Sequence, residues 1–168
     1  DASTVTIDKN LTLDIQTYSL TRNKSITVNS GVNATLTGNT GSNIITGTTN
    51  QVVIDIQGTL SIEGNITIEY NGTDNIIYNG KRESSLIINN ATMTSMTEAS
   101  AIFSIGTVTV NAVTITAKDR AIDTTGTLTV NSGTIKSLDN RAITNYQGTI
   151  NIGDETKPVN STSPLIIG

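Results

Sequence analysis

The stretch Gly126-Thr-Leu-Thr-Val-Asn-Ser-Gly133 decides how this chain folds. Leu128 and Val130 alternate with Thr127 and Thr129, the two-residue period of a strand with one buried face. The same opening recurs at Gly106-Thr-Val-Thr-Val-Asn111 and Gly148-Thr-Ile-Asn-Ile-Gly153. It occurs earlier at Gly58-Thr-Leu-Ser-Ile-Glu63 and, in degenerate form, at Ser84-Ser-Leu-Ile-Ile-Asn89. The starts at 58, 84, 106, 126 and 148 lie 26, 22, 20 and 22 residues apart, a repeat length of solenoids.

Each repeat holds more than one strand. A second follows the first at Ile66-Thr-Ile68, Ala91-Thr-Met93, Val113-Thr-Ile115 and Gly133-Thr-Ile135. A third apolar pair comes after it at Ile76-Ile77, Ala101-Ile102, Ala121-Ile122 and Ala142-Ile143. Three short strands with one apolar face each cannot bury themselves alone, so successive coils must stack. Stacking predicts one inward ladder of Leu60, Leu86, Val108, Leu128 and Ile150, a second of Ile62, Ile88, Val110, Val130 and Ile152, and an aligned corner of Asn89, Asn111 and Asn131. An antiparallel sandwich would also give short strands and frequent turns, but not a first strand that resembles the fourth and the seventh.

Outward from these repeats the pattern loosens. Leu11-Thr-Leu-Asp-Ile15, Tyr18-Ser-Leu20 and Ile26-Thr-Val28 read as one coil, and Ala34-Thr-Leu36 with Ile44-Ile45 as the next. Val52-Val-Ile-Asp-Ile56 reads as an extra strand in an expanded turn. The expected architecture is an all-β, right-handed parallel β-helix over 1–168, with irregular coils in 1–57 and regular repeats in 58–168. About seven coils at ~4.8 Å each give a stack on the order of 30 Å. The apolar close Ser163-Pro-Leu-Ile-Ile-Gly168 lacks a polar cap, so the chain is expected to be a piece of a longer protein that continues into further domains.

Composition narrows the chemistry. A net charge of −4 with 14% charged residues leaves no basic patch for nucleic acid or anionic lipid. Cys and His are absent, which removes disulfides, thiol nucleophiles, Ser-His-Asp catalysis and the usual zinc and haem ligands. No apolar run reaches membrane-spanning length. A weakly charged, Thr/Asn-rich, Cys-free composition fits a secreted or cell-wall-attached, extracellular location, and the start at Asp1 without Met is expected to mark a processed mature form or an excised piece.

Thr12-Leu-Asp-Ile-Gln-Thr-Tyr-Ser-Leu20, Ile26-Thr-Val-Asn-Ser-Gly31 and Leu36-Thr-Gly38 resemble the opening coil of pectin-lyase-like right-handed β-helix segments found in large surface proteins of Gram-positive bacteria. The 126–133, 148–153 and 163–168 stretches look like repeats of the same family. The resemblance covers most of the chain and implies a cell-surface, adhesin-like context without naming a ligand. Enzymes of this fold include polysaccharide lyases, galacturonan hydrolases and pectin esterases. The hydrolases' aspartate group with a Gly-His-Gly turn has no counterpart in a chain without His.

Two places carry candidate binding residues. Lys118-Asp-Arg-Ala-Ile-Asp123 and Asp139-Asn-Arg141 place Asp119, Arg120, Asp123 and Arg141 together if Ala121 stacks on Ala142. Lyases of this fold hold Ca²⁺ with acidic residues and use an Arg as base. Calcium needs several oxygens at one point, and only two or three carboxylates fall near here, so a salt-bridged turn is the plainer expectation and no cofactor or metal site is assigned. The second place is Tyr70, Asp74, Tyr78, Lys81 and Arg82, in the longest late insertion, where loops on a rigid scaffold commonly carry recognition. Glu63 and Glu69 fall on different strands of one coil and read as solvated outward groups rather than a hydrolytic pair. Thr107-Val-Thr109 over Thr127-Leu-Thr129 forms a hydroxyl grid of the kind that can order water. The expected function is a non-catalytic surface module, a scaffold or an adhesin for host or cell-wall glycan or protein. A polysaccharide-degrading lyase or hydrolase and an ice-binding protein are the alternatives.

Overall fold

A computed structural model describes residues 4–22, 24–39, 43–47, 50–153 and 165–167. Three strands recur per coil. The first coil is β1 (Val5–Ile7), β2 (Leu11–Asp14) and β3 (Leu20–Arg22). The second is β4 (Ile26–Val28), β5 (Asn33–Thr37) and β6 (Asn43–Gly47). In the next two, β7 (Ile54–Ile56) leads into β8 (Thr59–Tyr70), and β9 (Ile77–Asn79) into β10 (Ser85–Ser95). The remaining coils are β11 (Ile102–Ser104), β12 (Thr107–Asn111) and β13 (Val113–Ala117), then β14 (Ile122–Thr124), β15 (Thr127–Val130) and β16 (Gly133–Ser137), then β17 (Ile143–Asn145), β18 (Thr149–Ile152) and β19 (Leu165–Ile167).

Among the described residues all pairings are parallel and stack the coils into a β-solenoid. The first face is β1-β4-β7-β9-β11-β14-β17. The second runs from β2 through β5, the front of β8, the front of β10, β12 and β15 to β18. The third runs from β3 through β6 and the rear halves of β8 and β10 to β13, β16 and β19. Because β8 and β10 pass through the corner unbroken, the second and third faces form one bent sheet.

Both expected apolar ladders are present. Leu60 pairs with Leu86, Val108, Leu128 and Ile150 in turn, and Ile62 with Ile88, Val110, Val130 and Ile152. Fully burying such a side chain is worth roughly 1.5–3 kcal/mol, which offsets the conformational entropy of ordering the coil. One expectation is corrected. Ile54–Ile56 is not an extra strand in an expanded turn; it is the regular first-face rung, paired with Ile26–Val28 and Ile77–Asn79. What varies in the early coils is turn length, which the rungs tolerate because each needs only its neighbours.

The repeat's opening glycine has a steric cause. Gly58, Gly106, Gly126 and Gly148 stand where the first face turns into the second, against the backbone of the preceding coil. A Cβ at Gly126 would lie 2.0 Å from the Gly106 carbonyl oxygen, and one at Gly148 1.8 Å from that of Gly126. The bend between second and third faces uses a left-handed residue instead: Gly64 (φ 86°), Asn90 (φ 61°) and Ala112 (φ 51°).

The asparagine corner forms a directed chain. Asn131 Nδ2 donates to Asn111 Oδ1 (2.8 Å), Asn111 Nδ2 to Asn89 Oδ1 (2.7 Å), and Asn89 Nδ2 to Glu63 Oε1 (2.8 Å). Glu63 thus ends the ladder as a charged acceptor and also receives the Ser61 hydroxyl.

Candidate functional site

The register sorts the nine candidate residues into distinct places. Ile122 pairs with Ile143, so Arg120 and Arg141 occupy equivalent positions two residues earlier, where the third face turns into the first. Asp74 lies at the same corner further down the stack. Lys81 and Arg82 are exposed at another corner, before the second face. Tyr78 points outward from the middle of the first face.

Arg120 is the centre of the polar cluster. Its Nε donates to Asp119 Oδ2 (2.9 Å), and its Nη1 to Asp123 Oδ2 (2.7 Å) and to the Tyr146 hydroxyl (3.1 Å). The ion pairs close within one coil, and Tyr146 and Asn140 join from the next. The Asn140 amide donates to Asp119 Oδ1 at 2.6 Å. Arg141 is exposed and takes no part. Burial alone would raise the Asp119 carboxyl, but the Asn140 amide and the Arg120 guanidinium outweigh it and hold the group below its ordinary value. Asp123 is the reverse case: its side chain is only 5% exposed, and burial pushes it above the ordinary carboxylate value despite Arg120 and the Ser100 hydroxyl. The arrangement fastens a turn to the first face. Among the described residues, no group of three or more acidic side chains comes together where a metal ion could be held.

The tyrosines divide. Tyr70, expected on a recognition loop, is instead 1% exposed. Its hydroxyl donates to the Gln51 carbonyl (3.0 Å) and accepts from the Asp74 amide (3.1 Å), so it anchors the 71–74 turn from beneath. Burial foremost raises its pKa. Asp74 caps its own turn through the Asn75 amide (2.8 Å). Tyr78 stacks on Phe103 with ring centroids 5.5 Å apart and planes 8° from parallel. The two residues are in-register neighbours up the stack, so each ring spends a face on the other. The Tyr78 ring also lies over Gly80, where a Cβ would meet its Cε1 at 2.1 Å.

Glu63 and Glu69 sit on the second and third faces of one coil, as expected. Sequence reasoning missed Tyr146 and Asn140 as partners of the Arg120 cluster. The signal was available: carrying the Ala121–Ala142 register outward brings both onto the coil next to it.

Beside the cluster lies a shallow depression of about 250 Å³, lined by Asn71, Gly72, Thr73, Met96, Thr97 and Glu98. Glu98 is paired with Lys118 of the next coil, and this pairing raises the lysine's pKa.

No protein-family model, curated protein or solved structure matches the chain. The fold alone defines its class: a parallel β-solenoid with three strands per coil.

Proposed function

We propose that this chain is a non-catalytic extracellular surface module, a stiff β-solenoid that spaces and displays binding groups toward glycan or protein. The observation that supports the reading is the use made of Arg120. A general base must reach a substrate proton with a free nitrogen. Arg120 instead donates Nε to Asp119 and Nη1 to Asp123 and the Tyr146 hydroxyl, contacts that tie its turn to the sheet, and the Asp119 hydrogen bond foremost raises its pKa, which disfavours the neutral form a base requires. The test is incubation of the purified chain with pectate, alginate and neutral glucans, with and without Ca²⁺. Neither reducing ends nor ultraviolet-absorbing unsaturated product is expected. Product that disappears in Arg120→Ala would overturn the reading in favour of a lyase.

One observation favours a second reading, ice binding. The third face carries Thr67, Thr92, Thr114 and Thr134 in register on four consecutive coils, with Thr94 beside Thr116 in the adjacent outward column. This grid of hydroxyls and methyls repeats at about 4.8 Å up the stack and about 6.6 Å along the strand. It is longer than the second-face grid, which Ile87 and Asn151 interrupt. Thermal hysteresis at millimolar protein, lost in Thr92→Tyr and Thr114→Tyr, would support it; its absence would remove it.

A further inference from the structure

We propose that the corner depression between the 71–73 and 96–98 turns binds a single neutral sugar unit through adjacent hydroxyls. The inference deepens the surface-module reading and rests on it. Both turns are fixed before any ligand arrives. The buried Tyr70 hydroxyl holds the first through the Asp74 amide and the Gln51 carbonyl. Thr97 Oγ1 holds the second, 3.2 Å from the Ser95 hydroxyl and accepting the Ala99 amide at 3.3 Å. Little ordering therefore remains to oppose binding.

The groups left over face the depression. The Asn71 amide and the Thr73 hydroxyl make no hydrogen bond to the described residues, and both residues are exposed. Met96, 46% exposed, supplies an apolar contact for a ring's C–H face. Glu98 brings a carboxylate that pairs with Lys118 of the next coil. A carboxylate accepts two hydroxyl protons at once, and a primary amide both donates and accepts, so the pair suits vicinal hydroxyls. The competing occupants fit less well. A divalent cation needs several oxygens, and the depression offers one carboxylate already neutralised by a lysine. A nucleobase needs a ring to stack on, and none lines it. At about 250 Å³ the space lies just below the usual range of ligand sites, which suits one sugar ring with the rest of a chain outside.

The experiment is amide-resolved NMR titration of the whole chain with glucose, galactose, mannose and N-acetylglucosamine at millimolar concentrations. At least one sugar should shift the amides of 71–73 and 96–98 selectively. Asn71→Ala and Glu98→Gln should each weaken that response roughly ten-fold, the loss expected for one strong hydrogen bond, with the rest of the spectrum unchanged. Both positions are exposed, so folding is not at stake. No shift with any of the four sugars, shifts centred elsewhere, or shifts that persist in both variants would overturn the proposal. Any of these leaves the surface-module reading standing, because that reading falls only on the appearance of cleavage product.

Discussion

Arg120 fastens a turn to its neighbours through Asp119, Asp123 and Tyr146. Its guanidinium is 29% exposed and shields a carboxylate at Asp123 that is 5% exposed. Arg120→Ala would leave that carboxylate without a cationic partner. Removing one side of a buried pair costs about 3 kcal/mol or more. Partial solvation of the arginine lowers the expectation here to about 2 kcal/mol, read from urea midpoints at neutral pH. The two aspartates should respond to pH with opposite signs. Asp119, held below its ordinary value, contributes stability that is present above the ordinary carboxylate range and lost as pH falls through its folded pKa. Asp123, raised, is easier to keep protonated, so its contribution is present below that range and lost as pH rises through its folded pKa. Between pH 3 and pH 7, Asp119→Asn should therefore lose stability relative to the parent chain, while Asp123→Asn should gain it. Slopes of the same sign would contradict the assignment.

At the scale of the element, the corners rather than the strands are the specified parts. Strand positions accept any β-branched or aliphatic residue of suitable size, as the ladder Leu60, Leu86, Val108, Leu128, Ile150 shows. The corner before the second face does not. Gly126→Ala would drive a methyl to 2.0 Å from a backbone carbonyl that cannot rotate away, and should cost about 3 kcal/mol or more. The other corner predicts the opposite sign. Ala112 is held at φ 51°, where an L-residue is strained by about 1–2 kcal/mol, so Ala112→Gly should raise the urea midpoint. Ser84 stands where other coils have glycine, and its hydroxyl donates to the Lys81 carbonyl (2.6 Å), tying the longer 80–84 turn to itself. The degenerate repeat still falls in register with the coils on either side.

At the scale of the molecule, each coil is supported from two sides except at the ends of the stack. Val108, Val110, Leu86 and Ile88 are wholly buried, whereas Val5, Leu11 and Ile152 are 37%, 36% and 53% exposed. A quasi-one-dimensional stack loses nearest-neighbour contacts at its terminal rungs and opens there first. Amide hydrogen exchange should be slowest in β10 and β12 and quicken toward β1 and β18. Uniform protection along the axis would refute that picture.

Much of this was written in the sequence. The spaced Gly-Thr openings, the Thr/Ile alternation and the recurrent Ala-Ile pairs determined three strands per coil, the inward ladders and the Asn89–Asn111–Asn131 corner. They could do so because parallel stacking makes each residue's neighbour its counterpart one repeat away. The candidate sites were only half legible. Registering Ala121 on Ala142 brought Asp119, Arg120, Asp123 and Arg141 to one corner, but not which of them would touch. Tertiary structure decided that Arg141 stays outside and Tyr146 joins, that Tyr70 turns inward beneath its loop, and that Ile54–Ile56 is a regular rung. It also decided that the 71–73 and 96–98 turns enclose a depression. The physical reason is that strand register repeats with the coil, whereas turn length does not. Side chains on turns take their direction from local hydrogen bonds that no periodicity encodes.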